Sequence, residues 1–288
     1  MFRLLKYKIA RYIERYPKLN LFIYNFIPYL PFLLPHEKDY LALKHLLKKK
    51  SNISGIFLDV GANNGISTMG FRKLGFDNEI YLFEPNTWLY KKYLIKLKKN
   101  FKNKIFNFSL GDKNEMNYFY EPYLDKKCLH YFASFDKNYI INSIKITSPK
   151  YLDKIFFKKK KIKQCTYDSL QINKNIVFIK IDVEGYDHLV IKGMLKSIKK
   201  YKPIIFVEYN VENIKKICFL LKNYDPFIYI NKFNKLLSVK KDLLFSKQNK
   251  VISRSNKENL LSIRNIFFIE RNKVKKYFNH AIYRKIMH

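Results

Sequence analysis

The sequence of 288 residues predicts an α/β protein with a doubly wound, mostly parallel Rossmann-like sheet, helices on both faces and an N-terminal helical or apolar extension. From residue 55 onward, short apolar runs alternate with longer stretches of helical periodicity, which is typical of βα units. Glycines follow the first apolar run, and an acidic residue ends the second. In a nucleotide-binding sheet these two positions lie side by side.

The apolar runs and helical stretches each predict elements of the main sheet. Five strands are predicted near residues 55–60, 79–84, 104–110, 176–182 and 203–209. Four helices are predicted near residues 65–75, 86–99, 186–200 and 211–223. Towards the C-terminus, the pattern predicts strands at 227–230 and 265–269 and a basic helix at 271–288.

The chain divides into an N-terminal segment, residues 1–50, and a main domain, residues 51–288. Within the main domain, residues 111–167 lack the βα alternation and are rich in Tyr, Phe, Lys and Asn. We interpret them as an insertion that shapes a pocket or a lid.

The N-terminal segment combines positive charge with apolar side chains. Residues 1–18 predict a basic helix with one apolar side. The apolar run 19–34 is short and poorly helical for a bilayer span, because it contains Pro28 and Pro31. Two interpretations remain open: a helical cover packed on the main domain, or peripheral membrane contact through residues 1–35. We expect a cytoplasmic protein in either case.

The net charge of +34 would ordinarily suggest a nucleic-acid partner. Here, however, 49 residues are Lys and only 8 are Arg, the residue that recognises phosphates and bases with paired hydrogen bonds. We therefore do not favour nucleic acid. The three cysteines form no CxxC pair and no zinc-type spacing with histidine, so neither a disulfide framework nor a zinc site is predicted.

The turn after the first predicted strand reads Asp59-Val-Gly61-Ala-Asn63-Asn64-Gly65. Glycine lets the backbone approach a ligand closely at the carboxyl end of a strand. The spacing Gly-x-x-x-Gly differs from the dinucleotide pattern Gly-x-Gly-x-x-Gly, which disfavours a nicotinamide dehydrogenase. A carboxylate at Asp59 would attract the ammonium group of an amino-acid ligand, directly or through water.

The second predicted strand ends in Glu84-Pro85-Asn86, and a carboxylate there can accept hydrogen bonds from both hydroxyls of a ribose. The segment after the third strand, which includes Ser109 and Asp112, can contact an adenine. Together these positions predict a nucleoside site for a ligand with a cationic amino-acid end.

A second cluster of titratable residues follows the fourth predicted strand. Alternation places Lys180, Asp182 and Glu184 on one face of that strand, and Asp187 and His188 come within one helical turn. Charges at the end of a buried strand cost free energy unless they are paired or functional.

These motifs, taken in order, resemble those of the FkbM-type methyltransferases, class I enzymes that use S-adenosylmethionine. The resemblance extends from about residue 57 to residue 208. It rests on LDVGANNG, FEPN, SLGD, YDSL, KIDVEG and PIIFVE. One departure is Asp187, which stands where the family has a longer Glu. The resemblance implies methylation of an oxygen, often a hydroxyl of a sugar or a secondary metabolite.

Methyl transfer from a sulfonium requires alignment of the acceptor oxygen and removal of its proton. We expect Asp182 near the methyl group, with Glu184, Asp187 and His188 as candidates for the general base. A divalent metal held by Asp182, Glu208 and Asn210 is an alternative that we do not favour. We expect the insertion to contribute to the acceptor pocket, including His130, Tyr131 and Ser134.

Two other functions are weighed against a methyltransferase with a small-molecule or glycan acceptor. An RNA or other nucleic-acid methyltransferase would typically carry Asn-Pro-Pro-Tyr or a Pro-Cys nucleophile, and this chain has Asp-Val-Glu-Gly after the fourth strand. A non-catalytic binding domain would be expected to lose Asp59 or Glu84, and both are present.

Overall fold

The computed structural model describes residues 16–26, 37–43, 54–100, 102–231, 234–245 and 264–277. Most of the predicted basic helix of residues 1–18, the proline-containing part of the apolar run and the last eleven residues of the predicted C-terminal helix lie outside these ranges.

A mixed eight-stranded sheet forms the centre of the molecule. Its strands, in chain order, are β1 (Ile56–Val60), β2 (Ile80–Phe83), β3 (Asn103–Phe106), β8 (Ile176–Ile181), β9 (Ile204–Glu208), β10 (Tyr224–Ile230), β11 (Lys235–Ser238) and β12 (Asn265–Glu270). The spatial order is β11-β10-β12-β9-β8-β1-β2-β3. The five strands from β9 to β3 are parallel, whereas β12 is antiparallel to both of its neighbours. The predicted α/β fold is confirmed. The sheet is mixed, however, because of the antiparallel strand β12.

The parallel strands are covered on both faces, which explains their continuous apolar runs. Every residue of β1 is buried, including Asp59. One apolar cluster lies on each side of the sheet. Alternate residues of β8 divide between them, with Ile179 and Ile181 in the first cluster and Phe178 in the second.

Helices cover the sheet, and their bounds depart from the sequence prediction in two places. They are α2 (Ile66–Lys73), α3 (Thr87–Leu89), a π-helical turn (Tyr90–Leu94), α4 (Ile95–Asn100), α6 (Asp187–Lys192), α7 (Leu195–Tyr201), α8 (Val211–Leu220), α9 (Lys241–Phe245) and α10 (Arg271–Tyr277). The predicted helix 86–99 contains the π-helical turn, and the predicted helix 186–200 is broken at Gly193. The backbone at Gly193 lies close to that of Gly111, because a Cβ atom at Gly193 would be 1.8 Å from the carbonyl oxygen of Gly111.

A second sheet, with the order β4-β7-β5-β6, occupies most of the predicted insertion. Its strands are β4 (Ser109–Leu110), β5 (Glu115–Leu124), β6 (Lys127–Cys128) and β7 (Ile155–Cys165). Helix α5 (Lys137–Thr147) lies between β6 and β7. We predicted no strand within 111–167, and this was wrong: the long strand β7 carries consecutive exposed lysines, which hide the apolar alternation that marks a strand.

Helix α1 (Pro17–Phe26) packs against this second sheet. Its Leu21 is buried in an apolar cluster with Leu124, Leu129, Ile140 and others. Residues 19–26 of the apolar run are helical, although we expected the run to be poorly helical, because Pro28 and Pro31 come after this helix in the sequence. Among the described residues, no helix is both long enough and apolar enough to cross a membrane.

Candidate active site

The turn after β1 is held against the ends of both neighbouring strands. Gly61 has φ +76°, and its amide donates to the carbonyl of Phe83 at 3.0 Å. A Cβ atom at this position would lie 2.0 Å from the carbonyl oxygen of Asp182. Glycine is therefore required here, because the turn and the residue after β8 are in close backbone contact.

Glu84 ends β2 beside this turn and is buried. Its two carboxylate oxygens accept hydrogen bonds from backbone amides, Oε2 from Asn63 at 2.8 Å and Oε1 from Asn86 at 2.7 Å. Burial raises the pKa of Glu84 to about 7, although both amide hydrogen bonds lower it. Each oxygen has a further lone pair with which to accept a hydrogen bond from a ligand hydroxyl.

Asn86 connects this strand end to the second sheet. Its Oδ1 accepts from the amides of Trp88 and Leu89 and caps the following helix. Its Nδ2 lies 3.0 Å from Glu121 Oε1 and 3.2 Å from His130 Nδ1. Burial lowers the pKa of His130 to about 4, so its imidazole is neutral at physiological pH.

A pocket opens where these elements meet. Both the main sheet and the insertion contribute to its wall. The lining residues are Val60, Gly61, Asn63, Phe83, Glu84, Pro85, Asn86, Leu89, Ser109, Leu110, Phe119, His130, Ala133, Phe135, Asp182, Val183, Glu184 and Tyr186. Eight of the sequence-predicted site residues thus lie around one cavity: Gly61, Asn63, Glu84, Pro85, Asn86, Ser109, Asp182 and Glu184.

Asp182 and Glu184 bring carboxylates to the pocket at the end of β8. Glu184 has φ +51°, and Ser134 Oγ donates to its carbonyl at 2.7 Å. Burial raises the pKa of Glu184 well above its usual value, and the neighbouring charges of Glu208 and Asp182 add to this effect. One carboxylate oxygen from each of these three residues lies within 4.8 Å of the others. Glu184 therefore binds a proton more tightly than an ordinary glutamate carboxylate does.

The side chain of Asp59 lies elsewhere than we expected. It is fully buried, accepts from Thr68 Oγ1 at 2.7 Å and has Oδ1 3.4 Å from Lys180 Nζ. It does not line the pocket. Lys180 also lies 3.3 Å from Asp182 Oδ2 and donates to the carbonyl of Gly61 at 3.0 Å. Asp59 is thus paired with Lys180, and Lys180 in turn contacts both the turn after β1 and Asp182.

Asp187 and His188, two of our candidate bases, do not line the pocket. Asp187 begins α6 and accepts from Asn213 Nδ2 at 2.6 Å. Burial raises its pKa to about 7. His188 Nδ1 lies 2.6 Å from Asn213 Oδ1, and the ring faces a separate surface groove. Asp187 and His188 thus both contact Asn213 of α8, and the chain turns just before α6 at Gly185, where φ is +94°.

Three further predicted cofactor contacts lie outside the pocket lining. Asn64 is buried, and its Oδ1 accepts from the amide of Ile66 at 3.3 Å, which supports the start of α2. Gly65 packs against Leu97 with φ +79°. Asp112 forms an ion pair with Lys192 at 2.9 Å. These residues shape the turn or connect loops.

Of the three insertion residues that we expected in the acceptor pocket, one lines the candidate pocket. His130 lines the pocket, Ser134 holds the loop of Glu184, and Tyr131 instead donates to the carbonyl of Pro17 at 3.3 Å. We missed Phe119, Phe135 and Tyr186 as lining residues. Aromatic side chains are too abundant in this chain, with 23 Tyr and 25 Phe, for their presence to single out a wall.

Comparison with known proteins identifies the family. The profile of the FkbM methyltransferase domain matches residues 59–236, more than half of the chain. The chain belongs to the FkbM methyltransferase family. Its predicted family membership is thus confirmed.

A crystal structure of the methyltransferase FkbM from Methylobacillus flagellatus KT is similar to 78% of this chain, with 13% sequence identity and a TM-score of 0.44. The similarity covers 47% of that protein, so this chain spans about half of its length. No curated protein matches the chain significantly.

Proposed function

We propose that this methyltransferase uses S-adenosylmethionine and transfers a methyl group to a hydroxyl of a sugar, a glycan or a secondary metabolite. The observation that carries the proposal is the buried Glu84 carboxylate, fixed by two backbone amides beside the glycine turn. A carboxylate in this position can receive both ribose hydroxyls. The cofactor supplies an activated methyl group when it is bound.

Different parts of the pocket wall fit the different parts of such a cofactor. Glu84 would hold the ribose, and Ser109 with Leu110 and Pro85 would line the adenine end. The amino-acid end would lie near Gly61 and Asp182, where Lys180 donates to the backbone of the turn. We place the reaction in the cytoplasm, where this cofactor is available.

Glu184 is our candidate for the general base. It lines the pocket next to Asp182, whereas Asp187 and His188 do not. A carboxylate with a raised pKa is, when ionised, a stronger base than an ordinary one. We propose that Glu184 accepts the proton of the acceptor hydroxyl as the oxygen attacks, and that Asp182 orients the reacting groups.

Calorimetric titration with S-adenosylhomocysteine tests the cofactor assignment. We expect the intact protein to bind, and Glu84→Ala to weaken binding by about tenfold or more through the lost hydrogen bonds to a charged group. Asp112→Ala is the matched control, because this carboxylate lies outside the pocket, and its affinity should be unchanged. Undiminished binding by Glu84→Ala would refute the assignment.

The base is tested separately. Glu184→Gln should bind S-adenosylhomocysteine normally and lower kcat by roughly 10²–10⁴-fold, the usual contribution of a general base. Chelation of divalent metals in the same assay tests a metal at Asp182, Glu184 and Glu208, whose carboxylates lie together, whereas Asn210 of the set that we considered caps α8 instead. Full activity of Glu184→Gln would remove this residue from the mechanism and leave the cofactor site untouched.

A further inference from the structure

Helix α1 presents an apolar face that the described part of the chain leaves partly exposed. Leu21 is buried in the cluster beneath the second sheet, whereas Leu19, Phe22 and Phe26 are exposed by 39%, 60% and 51%. The spacing of three and four residues places these three side chains on one face of the helix. The rings of Phe22 and Phe26 lie 4.7 Å apart, so the face is a continuous apolar strip.

Lysines lie beside this strip. Lys18, in the first turn of the helix, is 51% exposed and is paired with Asp125. The groove between α1 and the second sheet is lined by Lys18, Lys126, Lys127 and Lys160, together with Phe22. The acidic residue in the lining is Glu121, which is already paired with Lys160 at 2.7 Å. Lys18 and Lys160 are thus paired with carboxylates, and Lys126 and Lys127 give the groove beside the apolar strip a net positive charge.

We propose that this surface, Leu19, Phe22 and Phe26 with the adjoining lysines, docks on an anionic lipid bilayer. Exposed aromatic and aliphatic side chains beside lysines are the composition of helices that lie in a membrane interface. The apolar side chains enter the headgroup boundary, and the lysines contact anionic headgroups. A second copy of the chain is disfavoured as the occupant, because each copy carries a net charge of +34 and the two would repel.

The position of this surface gives docking a consequence for access. The groove beside α1 and the candidate active site share His130 as a lining residue. Trp88 stacks on His130 with ring centroids 4.2 Å apart and is itself 40% exposed at the groove. Docking through α1 therefore brings the opening of the groove to the lipid headgroups.

Vesicle co-sedimentation of the full chain tests the proposal. We expect binding to vesicles of phosphatidylcholine with phosphatidylglycerol, and weak binding to phosphatidylcholine alone. The variant Phe22→Ser/Phe26→Ser should lower the partition coefficient to anionic vesicles by about tenfold or more. Its control is Ile146→Ser/Phe219→Ser, which removes two other exposed apolar side chains, 82% and 72% exposed, and should bind like the native protein.

Two further measurements keep the outcomes distinct. Binding of S-adenosylhomocysteine by both variants shows that they are folded, and vesicle binding is measured independently of the proposed reaction. Equal sedimentation of the Phe22/Phe26 variant and its control would overturn the proposal. It would also be overturned if the Phe22/Phe26 variant changed the oligomeric state in light scattering while vesicle binding stayed unchanged.

Discussion

Burial and the proposed ligand binding favour opposite protonation states of Glu84. Its burial favours the neutral acid and raises its pKa to about 7, yet the proposed recognition of two ribose hydroxyls requires the carboxylate. A raised carboxyl pKa means that the folded protein binds more protons than the unfolded chain between about pH 4.5 and about pH 7. The contribution of Glu84 to stability therefore falls as pH rises through this window, whereas ligand binding gains from the same ionisation.

This conflict predicts a pH dependence of cofactor affinity. Between about pH 8 and about pH 6, the affinity for S-adenosylhomocysteine should fall by about tenfold, as expected for one group with a pKa near 7. Glu84→Gln should bind weakly at both pH values with no such slope. Calorimetry at the two pH values measures both proteins. A native affinity that is equal at both would show that this carboxyl does not control binding.

The protonation state of Lys180 is also determined by its buried surroundings. Burial would lower its pKa, but Asp182 and Asp59 outweigh this and raise it. The ammonium is thus charged and compensates the fully buried Asp59. Such a pair adds little net stability, but breaking it leaves an uncompensated charge in the core.

Lys180→Met should therefore lower the free energy of unfolding by about 3–5 kcal/mol near neutral pH. The loss should be smaller at about pH 5, because the unpaired Asp59 can take up a proton and become neutral. The double variant Lys180→Met/Asp59→Asn should recover part of the loss. Urea unfolding at both pH values measures these differences. Lys199→Met is the control, since this lysine is exposed and its removal should change stability by under about 0.5 kcal/mol.

At the scale of elements, the turn after β1 and the end of β8 form one unit. Gly61 and Asp182 meet backbone to backbone, and Lys180 donates to Gly61 from the adjacent strand. The first turn therefore cannot move without moving the residues proposed for chemistry. If the proposed function holds, we expect cofactor binding and alignment of the acceptor to be coupled through this contact.

Gly61→Ala tests this coupling. The new Cβ would meet the Asp182 carbonyl at 2.0 Å in a backbone conformation with φ +76°, so the turn must shift. Gly75→Ala is a matched control, because Gly75 has φ +91° with no atom within 4 Å of the added Cβ. The control should cost about 1–2 kcal/mol of stability from the backbone conformation alone. Gly61→Ala should cost more and also weaken S-adenosylhomocysteine binding, and equal effects of the two variants would contradict the coupling.

The sequence predicted elements well where burial on both sides makes apolar runs continuous. β1, β2, β8 and β9 were located within about two residues for this reason. β7 was not located, because it contains five lysines and no clear alternation of apolar residues. It forms a strand through backbone pairing with β5. Pairing between distant segments leaves little signal in the local pattern.

The candidate site shows the same division between local and tertiary information. Glu84 and the glycine turn were predictable because a strand end fixes where the backbone points. The direction of Asp59 was not, because its orientation depends on Lys180, which lies far away in the chain. Likewise, Asp187 and His188 follow Glu184 closely in sequence, but a turn at Gly185 directs them to Asn213.

At the scale of the whole molecule, the pocket bridges two layers with separate cores. Two large clusters pack on the main sheet, whereas only six buried residues of the described part of the chain, among them Leu129 and Ile140, form the cluster beneath the second sheet. A smaller core supports a lower free energy of local opening. The second sheet should therefore exchange its amide hydrogens faster than β1 and β8.

Ligand binding should reduce this difference between the layers. His130, Phe119 and Phe135 come from the insertion, and Gly61 and Glu84 come from the main sheet, so one ligand in the pocket would contact both layers. We expect saturating S-adenosylhomocysteine to slow exchange in residues 130–135 as well as in the turn after β1, measured by hydrogen exchange with mass spectrometry. The β10–β11 pair does not line the pocket and is the internal control. Protection restricted to the turn after β1 would show that the insertion does not close on the cofactor, and its aromatic wall would then have to be assigned to the acceptor alone.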